Sequence, residues 1–214
     1  NLNMKKKSLN AKKIILRKLL KNLNNPKIRK IYNVFNKNIT NLKSNSKLAV
    51  ALSGGKDSLA LAYLAKCYSV IHSHKIYFYH VDHGLRTDSL RQANQLKIKM
   101  KDYDIHCKIL KWRGAKPNSN IQAIARNKRY SLLKKECSKN KVKFLLLGHH
   151  IDDVYENFFI RLLRGSGLKG LISFYSNETK HEKDLRILRP LYKLKKKDLD
   201  YLTSNVFNFS IEDT

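Results

Sequence analysis

Cysteine is scarce in this 214-residue chain, and the three present, Cys67, Cys107 and Cys137, stand far apart. No C-x-x-C pair occurs, which excludes a zinc knuckle or a dithiol redox motif of the usual spacing. Three separated thiols suit buried side chains in a reducing compartment, so a cytoplasmic location is expected. There is no apolar stretch long enough to span a bilayer and no signal-peptide pattern, so no membrane partner is expected. Internal repeats and low-complexity linkers are also missing, apart from a bias toward lysine. The Walker A spacing G-x-x-x-x-G-K-[ST] cannot be aligned to the chain. Acidic residues are few as well: 16 Asp and Glu stand against 45 Lys and Arg, a formal net charge of +29. Such an excess predicts a polyanionic partner, most simply nucleic acid held through its phosphates; a solvated lysine-rich surface is the bland alternative.

What is present is enough for a full α/β core with little room for a second large domain. The chain begins with Asn1, and Met4-Lys5-Lys6-Lys7 reads as a natural start, so the first residues are expected to be an expression scar or the chain a fragment. Ala11–Leu23 carries Ile15, Leu19 and Leu23 on one helical face, and a second helical pattern runs Ile28–Ile39 after Pro26. These basic helices are read as an N-terminal extension over residues 1–44, either packed decoration or an arm toward RNA; the catalytic unit is placed at 45–214.

From Lys47 the pattern alternates between strand and helix. Strands are expected at Leu48–Leu52, Lys75–Val81, His106–Trp112 and Lys143–His149, and a further one after Arg186. Helices are expected at Ser58–Ser69, Thr87–Tyr103 (with Thr87 as its cap), Ile121–Asn140, Asp152–Leu163 and Lys195–Asn205. Repeated βα units predict a doubly wound parallel sheet with right-handed crossovers, whose working residues gather at the carboxyl ends of the strands.

The chemistry-bearing residues follow those strands. After the first comes Ser53-Gly54-Gly55-Lys56-Asp57-Ser58, where glycines allow a sharp turn and the next helix aims free N–H groups at a bound anion. The second strand leads to His80-Val81-Asp82-His83-Gly84-Leu85-Arg86, and the fourth to Gly148-His149-His150-Ile151-Asp152-Asp153. Each group alone has a structural explanation: a helix cap, acids favoured at a helix start, or ordinary loop histidines. Together they put Gly, His, Asp, Ser and Arg on one rim. A zinc site from His80, Asp82 and His83 does not match a recognised ligand set. Arg126 and Arg129 share one face of their helix, either as a solvated stripe or, the reading preferred, pointing to a nucleotide. Arg161 and Arg164, in "RLLRGSGLKGL", are read as part of a basic loop able to touch substrate phosphates.

With these residues in view, the chain resembles a known family. Ser-Gly-Gly-x-Asp-Ser is similar to the pyrophosphatase loop of the N-type ATP pyrophosphatases, the PP-loop superfamily. "VDHGLR", "GHHIDD", "RGSGLKGL", "RPL" at Arg189–Leu191 and "IEDT" follow in the order seen in the tRNA(Ile)-lysidine synthetase family. The resemblance implies an adenine nucleotide alpha-hydrolase-like fold and a cytoplasmic ligase. ATP would bind at Ser53–Ser58 with Mg²⁺, and Asp57 would position the ion or the nucleotide. Catalytic roles are implied for Asp57, Asp152, Asp153, His83 and His150, and substrate contacts for Arg86, Arg126, Arg129, Glu156, Arg161 and Arg164. The implied partners are an isoleucine tRNA, free L-lysine and ATP, with a homodimer as a further expectation. The family usually reads D-D-Q-x-E-T where this chain has Asp152-Asp153-Val154-Tyr155-Glu156-Asn157. Many members carry C-terminal domains that help grip the tRNA, and the chain stops at Thr214; it is read as a truncated form or a minimal enzyme.

Overall fold

The computed structural model describes residues 2–39, 42, 46–114, 117–153, 155–156, 178–182, 185–207 and 209–210. Two helices open the chain, α1 (Leu2–Lys21) and α2 (Pro26–Ile39), joined by a short 3₁₀ turn. β1 (Leu48–Ala51), α3 (Lys56–His72), β2 (Ile76–Asp82), α4 (Ser89–Lys101), β3 (Cys107–Lys111), α5 (Ile121–Lys139) and β4 (Phe144–Leu146) then alternate. β5 (Glu178–Glu182), β6 (Leu185–Leu188) and α6 (Lys196–Val206) complete the described elements.

The sheet order is β3-β2-β1-β4-β6-β5. Five strands run parallel, and β5 pairs antiparallel with β6 at the edge. The chain winds outward from β1 through β2 to β3, then returns to the far side of β1 to lay down β4. That reversal opens a crevice beyond the carboxyl ends of β1 and β4, the place where open α/β sheets hold ligands.

Both faces of the sheet are covered, which is why its strands read as unbroken apolar runs. Leu48 and Val50 of β1 and Phe144 and Leu146 of β4 point to the layer of α1, α2, α3, α4 and α6; Ala49 and Leu145 point to α5. α3 is apolar on nearly every side, and Leu59, Leu61 and Leu64 are fully buried. Burial of each such side chain contributes roughly 1.5–3 kcal/mol. The N-terminal helices share this core: Leu19, Leu23, Ile28, Phe35 and Ile39 pack into it, and the Tyr63 hydroxyl on α3 donates to the Leu19 carbonyl at 3.2 Å. Of the two readings of these helices, packing is therefore observed.

Several boundaries differ from expectation for physical reasons. α1 begins at Leu2 rather than Ala11, because the lysine-rich start has good helix propensity but no apolar periodicity to announce it. α3 begins at Lys56 rather than Ser58, because the Ser58 hydroxyl works inside the first turn instead of capping it from outside. α4 starts at Ser89 with Asp88, not Thr87, at the cap position. β4 stops at Leu146, so His149 is not a strand residue; His150 instead makes an isolated parallel bridge with Leu191. Of the helix expected over Asp152–Leu163, only 152–153 and 155–156 are described, and they are helical. No described helix is long and apolar enough to cross a membrane.

Candidate active site

The turn after β1 is organised by one hydroxyl. Ser58 Oγ accepts from the backbone N–H of Ser53 at 3.2 Å and of Gly54 at 3.0 Å, accepts from Ser53 Oγ at 3.0 Å, and donates to the Gly55 carbonyl at 2.8 Å. Gly54 has φ 108°, a conformation costly for any residue with a Cβ. Gly55 is the N-cap of α3, and the first-turn N–H groups of that helix have no acceptor within it. The result is a rigid cradle of donors at the positive end of a helix.

The turn after β4 lies directly against this cradle. A Cβ on Gly148 would sit 3.3 Å from the Asp57 carbonyl oxygen, so a bare backbone is what lets the two turns meet. Asp57 itself is only half engaged. Its Oδ2 is 3.4 Å from His150 Nε2, while its Oδ1 is buried with no hydrogen-bond partner among the described residues.

His150 is 3% exposed and faces three carboxylates: Asp57 at 3.4 Å, Asp152 at 3.5 Å and Asp153 at 3.6 Å. Burial opposes its charge, but the Asp57 hydrogen bond and the fields of Asp153, Asp57 and Asp152 outweigh that and raise its pKa above the ordinary 6.5. The neighbouring His149 moves the other way, down to about 4, through burial first and the Arg189 charge second. The two aspartates also diverge. Asp152 accepts from the Lys196 N–H at 2.6 Å, where α6 begins, whereas Asp153 accepts from the His150 N–H at 2.8 Å and lines the cavity.

That cavity, about 460 Å³, brings the three strand ends together: Ser53, Asp57 and Ser58 after β1, His83 and Arg86 around the β2 turn, and Gly148, His149 and Asp153 after β4. α5 adds Arg126, Arg129 and Tyr130 to the wall. Arg129 Nε donates to His83 Nε2 at 3.2 Å, and Asp82 Oδ1 accepts from the Gly84 N–H at 3.0 Å to shape the β2 turn.

Some residues proposed from sequence are not part of the cavity wall. The Lys56 side chain reaches Asp200 on α6 at 3.7 Å, and the lining does not include Gly54, Gly55, Lys56, His150, Asp152 or Glu156. Arg161 and Arg164 lie outside the described residues. The pairing of His149 with Arg189, whose Nε donates to His149 Nδ1 at 3.1 Å, was not foreseen. Its signal in sequence is the Arg189-Pro190-Leu191 motif that follows β6.

A PP-loop domain profile matches residues 23–214. The chain belongs to the PP-loop family. Among curated relatives, the tRNA(Ile)-lysidine synthase of Orientia tsutsugamushi (strain Boryong) is 41% identical over 160 residues, covering 73% of this chain and 35% of the relative. The synthase of the same name from Rickettsia typhi (strain ATCC VR-144 / Wilmington) is 38% identical over 188 residues, covering 82% of this chain and 41% of the relative. The chain thus spans well under half the length of these curated relatives. Among solved structures, the U34-tRNA thiolase NcsA from Methanococcus maripaludis, with its [4Fe-4S] cluster, superposes with a TM-score of 0.71 at 25% identity, covering 87% of this chain and 65% of that one. These likenesses agree with the PP-loop, doubly wound α/β fold expected from the sequence.

A magnesium ion can be tested against the PP-loop site itself. No cluster of three or more His, Cys, Asp or Glu suited to a metal occurs among the described residues. Mg²⁺ shared with substrate phosphates needs only one or two carboxylates. Asp57 Oδ1, buried beside the helix N-terminus with no hydrogen-bond partner among the described residues, meets that need.

Proposed function

We propose that this chain carries the catalytic centre of a tRNA(Ile)-lysidine synthase, joining lysine to C2 of the wobble cytidine of an isoleucine tRNA with a CAU anticodon. The observation that carries the reading is a cavity in which Ser53, Asp57 and Ser58 of the cradle share a wall with Asp153 and the arginines of α5. The curated relatives agree with it in name.

In this reading ATP lays its phosphates on the cradle and the first turn of α3. The cytidine C2 oxygen attacks the α-phosphorus, the bond to the β-phosphate bridging oxygen breaks, and pyrophosphate leaves with that electron pair. Asp57 would hold Mg²⁺, which when bound supplies positive charge against the phosphates. The backbone donors and Arg126 and Arg129 supply the rest from fixed positions, where charge stabilisation is most effective. The ε-amine of lysine then attacks C2, the C2–O bond breaks, AMP departs, and the amine loses a proton. In this reading Asp153, which lines the cavity, anchors the ammonium and takes that proton; the bond from the Lys196 N–H to Asp152 supports assigning the role to Asp153. Arg86, an exposed residue of the cavity wall, is suited to RNA phosphate, and the +29 charge to the rest of the tRNA.

A thiolase reading, which the likeness to NcsA would favour, is less well supported. Cys67, Cys107 and Cys137 are buried, none lines the cavity, and burial pushes all three thiols up to about 12. They are unsuited to serve as thiolate nucleophiles or cluster ligands. The deciding experiment is incubation with ATP, Mg²⁺, labelled lysine and tRNA transcripts, followed by nucleoside analysis. Lysine in an isoleucine tRNA, with AMP and pyrophosphate released, is expected; sulfur in the RNA, or an unmodified RNA with no AMP formed, rejects the reading.

A further inference from the structure

Two histidines of the cavity accept a hydrogen bond from an arginine. Arg189 Nε donates to Nδ1 of His149 at 3.1 Å, and Arg129 Nε donates to Nε2 of His83 at 3.2 Å. A guanidinium has donors and no acceptor, so the ring nitrogen it meets is the one without a proton. The proton of the neutral ring then sits on the other nitrogen: Nε2 in His149, Nδ1 in His83. A doubly protonated ring would set N–H against N–H and cation against cation.

We propose that Arg189 locks His149 as the neutral Nε2–H tautomer, which makes it a hydrogen-bond donor to a substrate phosphate oxygen in the cavity and not a base. The proposal rests on the function above only for what the donor meets. The lock follows from the sheet. The Leu147 N–H donates to the Leu188 carbonyl at 2.9 Å, and this extension of the β4–β6 pairing brings His149 alongside Arg189. Arg189 is 6% exposed, too confined to trade this contact for water. The charged or titratable groups around His149 are Arg189, Arg126, Asp153 and His150, of which only Asp153 favours a cationic ring. Arg189 is thus a positioning residue. A neutral donor fits an oxygen gaining negative charge as pyrophosphate leaves, because it supplies a proton contact without competing for the three carboxylates around His150.

The lock can be read without ATP, lysine or RNA, from long-range ¹H–¹⁵N correlations of the histidine rings in ¹⁵N-labelled protein, with His149→Gln assigning the signal. His149 is expected to show the neutral Nε2–H pattern, unchanged from about pH 5.5 to 8.5. Arg189→Met should let the ring titrate toward the ordinary value of about 6.5, and Arg189→Lys, which keeps a donor, should restore the lock. A proton on Nδ1, or a ring titrating near 6.5 in the unaltered protein, overturns the proposal. For the donor role, His149→Gln keeps an N–H and should hold pyrophosphate release within about tenfold, while His149→Phe should lose roughly 10²–10³-fold. Equal losses in both variants overturn that role. Were the substrate assignment wrong, the ring spectra would stand; a wrong lock would show in them whatever the protein modifies.

Discussion

Asp104 and Asp57 sit at opposite ends of the parallel strands, Asp104 before β3 and Asp57 after β1, each beside positively charged or chargeable neighbours. Asp104, in the turn before β3, has both oxygens engaged: Oδ2 lies 2.6 Å from Lys66 and 3.7 Å from Lys12, and Oδ1 3.4 Å from His106. Burial works against its charge, yet the Lys66 hydrogen bond and the Lys66, Lys12 and His106 charges prevail and hold its pKa below the usual value. The cluster ties α1 to α3 and asks for nothing more. Asp57, after β1, has one oxygen near His150 and the other buried without a hydrogen-bond partner among the described residues. Three carboxylates crowd that histidine, leaving a local surplus of negative charge inside a protein of net charge +29. A closed cluster stabilises a fold; one with an open valence and several carboxylates suits the Mg²⁺ and lysine sites proposed above.

The largest expected contrast is in turnover. Asp57→Ala should lower AMP formation by about 10³-fold or more, on the scale of losing a charge-positioning group, with tRNA affinity and its salt dependence unchanged. Single-turnover assays beside binding isotherms at two salt concentrations measure this, and near-normal AMP formation would reject the site. Asp104→Asn should do the reverse. Asn tolerates the left-handed backbone there (φ 53°), so the change isolates the charge. Leaving Lys66 without its partner should cost about 3 kcal/mol of stability with kcat/KM preserved, as denaturant melts and kinetics on the same sample would show. If Asp104→Asn silenced the enzyme without destabilising it, the distinction between the clusters would fail.

The same contrast marks how far the sequence could be read. Strand ends carrying Gly, His, Asp and Arg were legible because a parallel βα pattern places them on one rim before any contact is known. The edge strand Glu178–Glu182 was not, since E-T-K-H-E offers no apolar alternation and its pairing with β6 is a tertiary event. Asp152 and Asp153 looked equivalent as neighbours. Successive helical residues point about 100° apart, however, so one reaches α6 while the other faces the cavity. His149 and Arg189 are 40 residues apart and meet only because β4 and β6 are adjacent. Periodicity reports which face a residue takes; it is silent on partners supplied by a distant strand.

The smallest effects, and the most discriminating in sign, come from pH. Asp104 has a folded pKa below its unfolded one, so its contribution is complete above the unfolded value of about 4 and fades as pH falls through the folded value. The gap in Tm between the parent protein and Asp104→Asn should therefore be flat near neutrality and close on acidification. His150 has a folded pKa above its unfolded one, so its contribution is complete below about 6.5 and is lost as pH rises through the folded value. The gap between the parent and His150→Asn should be widest in mild acid and shrink toward alkaline pH. Thermal melts of the three proteins across about pH 3.5 to 9 separate the two clusters without any substrate. Should the His150 gap instead widen with rising pH, the three carboxylates would not be holding a proton on that ring, and the surplus of negative charge assigned to the Asp57 side of the sheet would have to be abandoned.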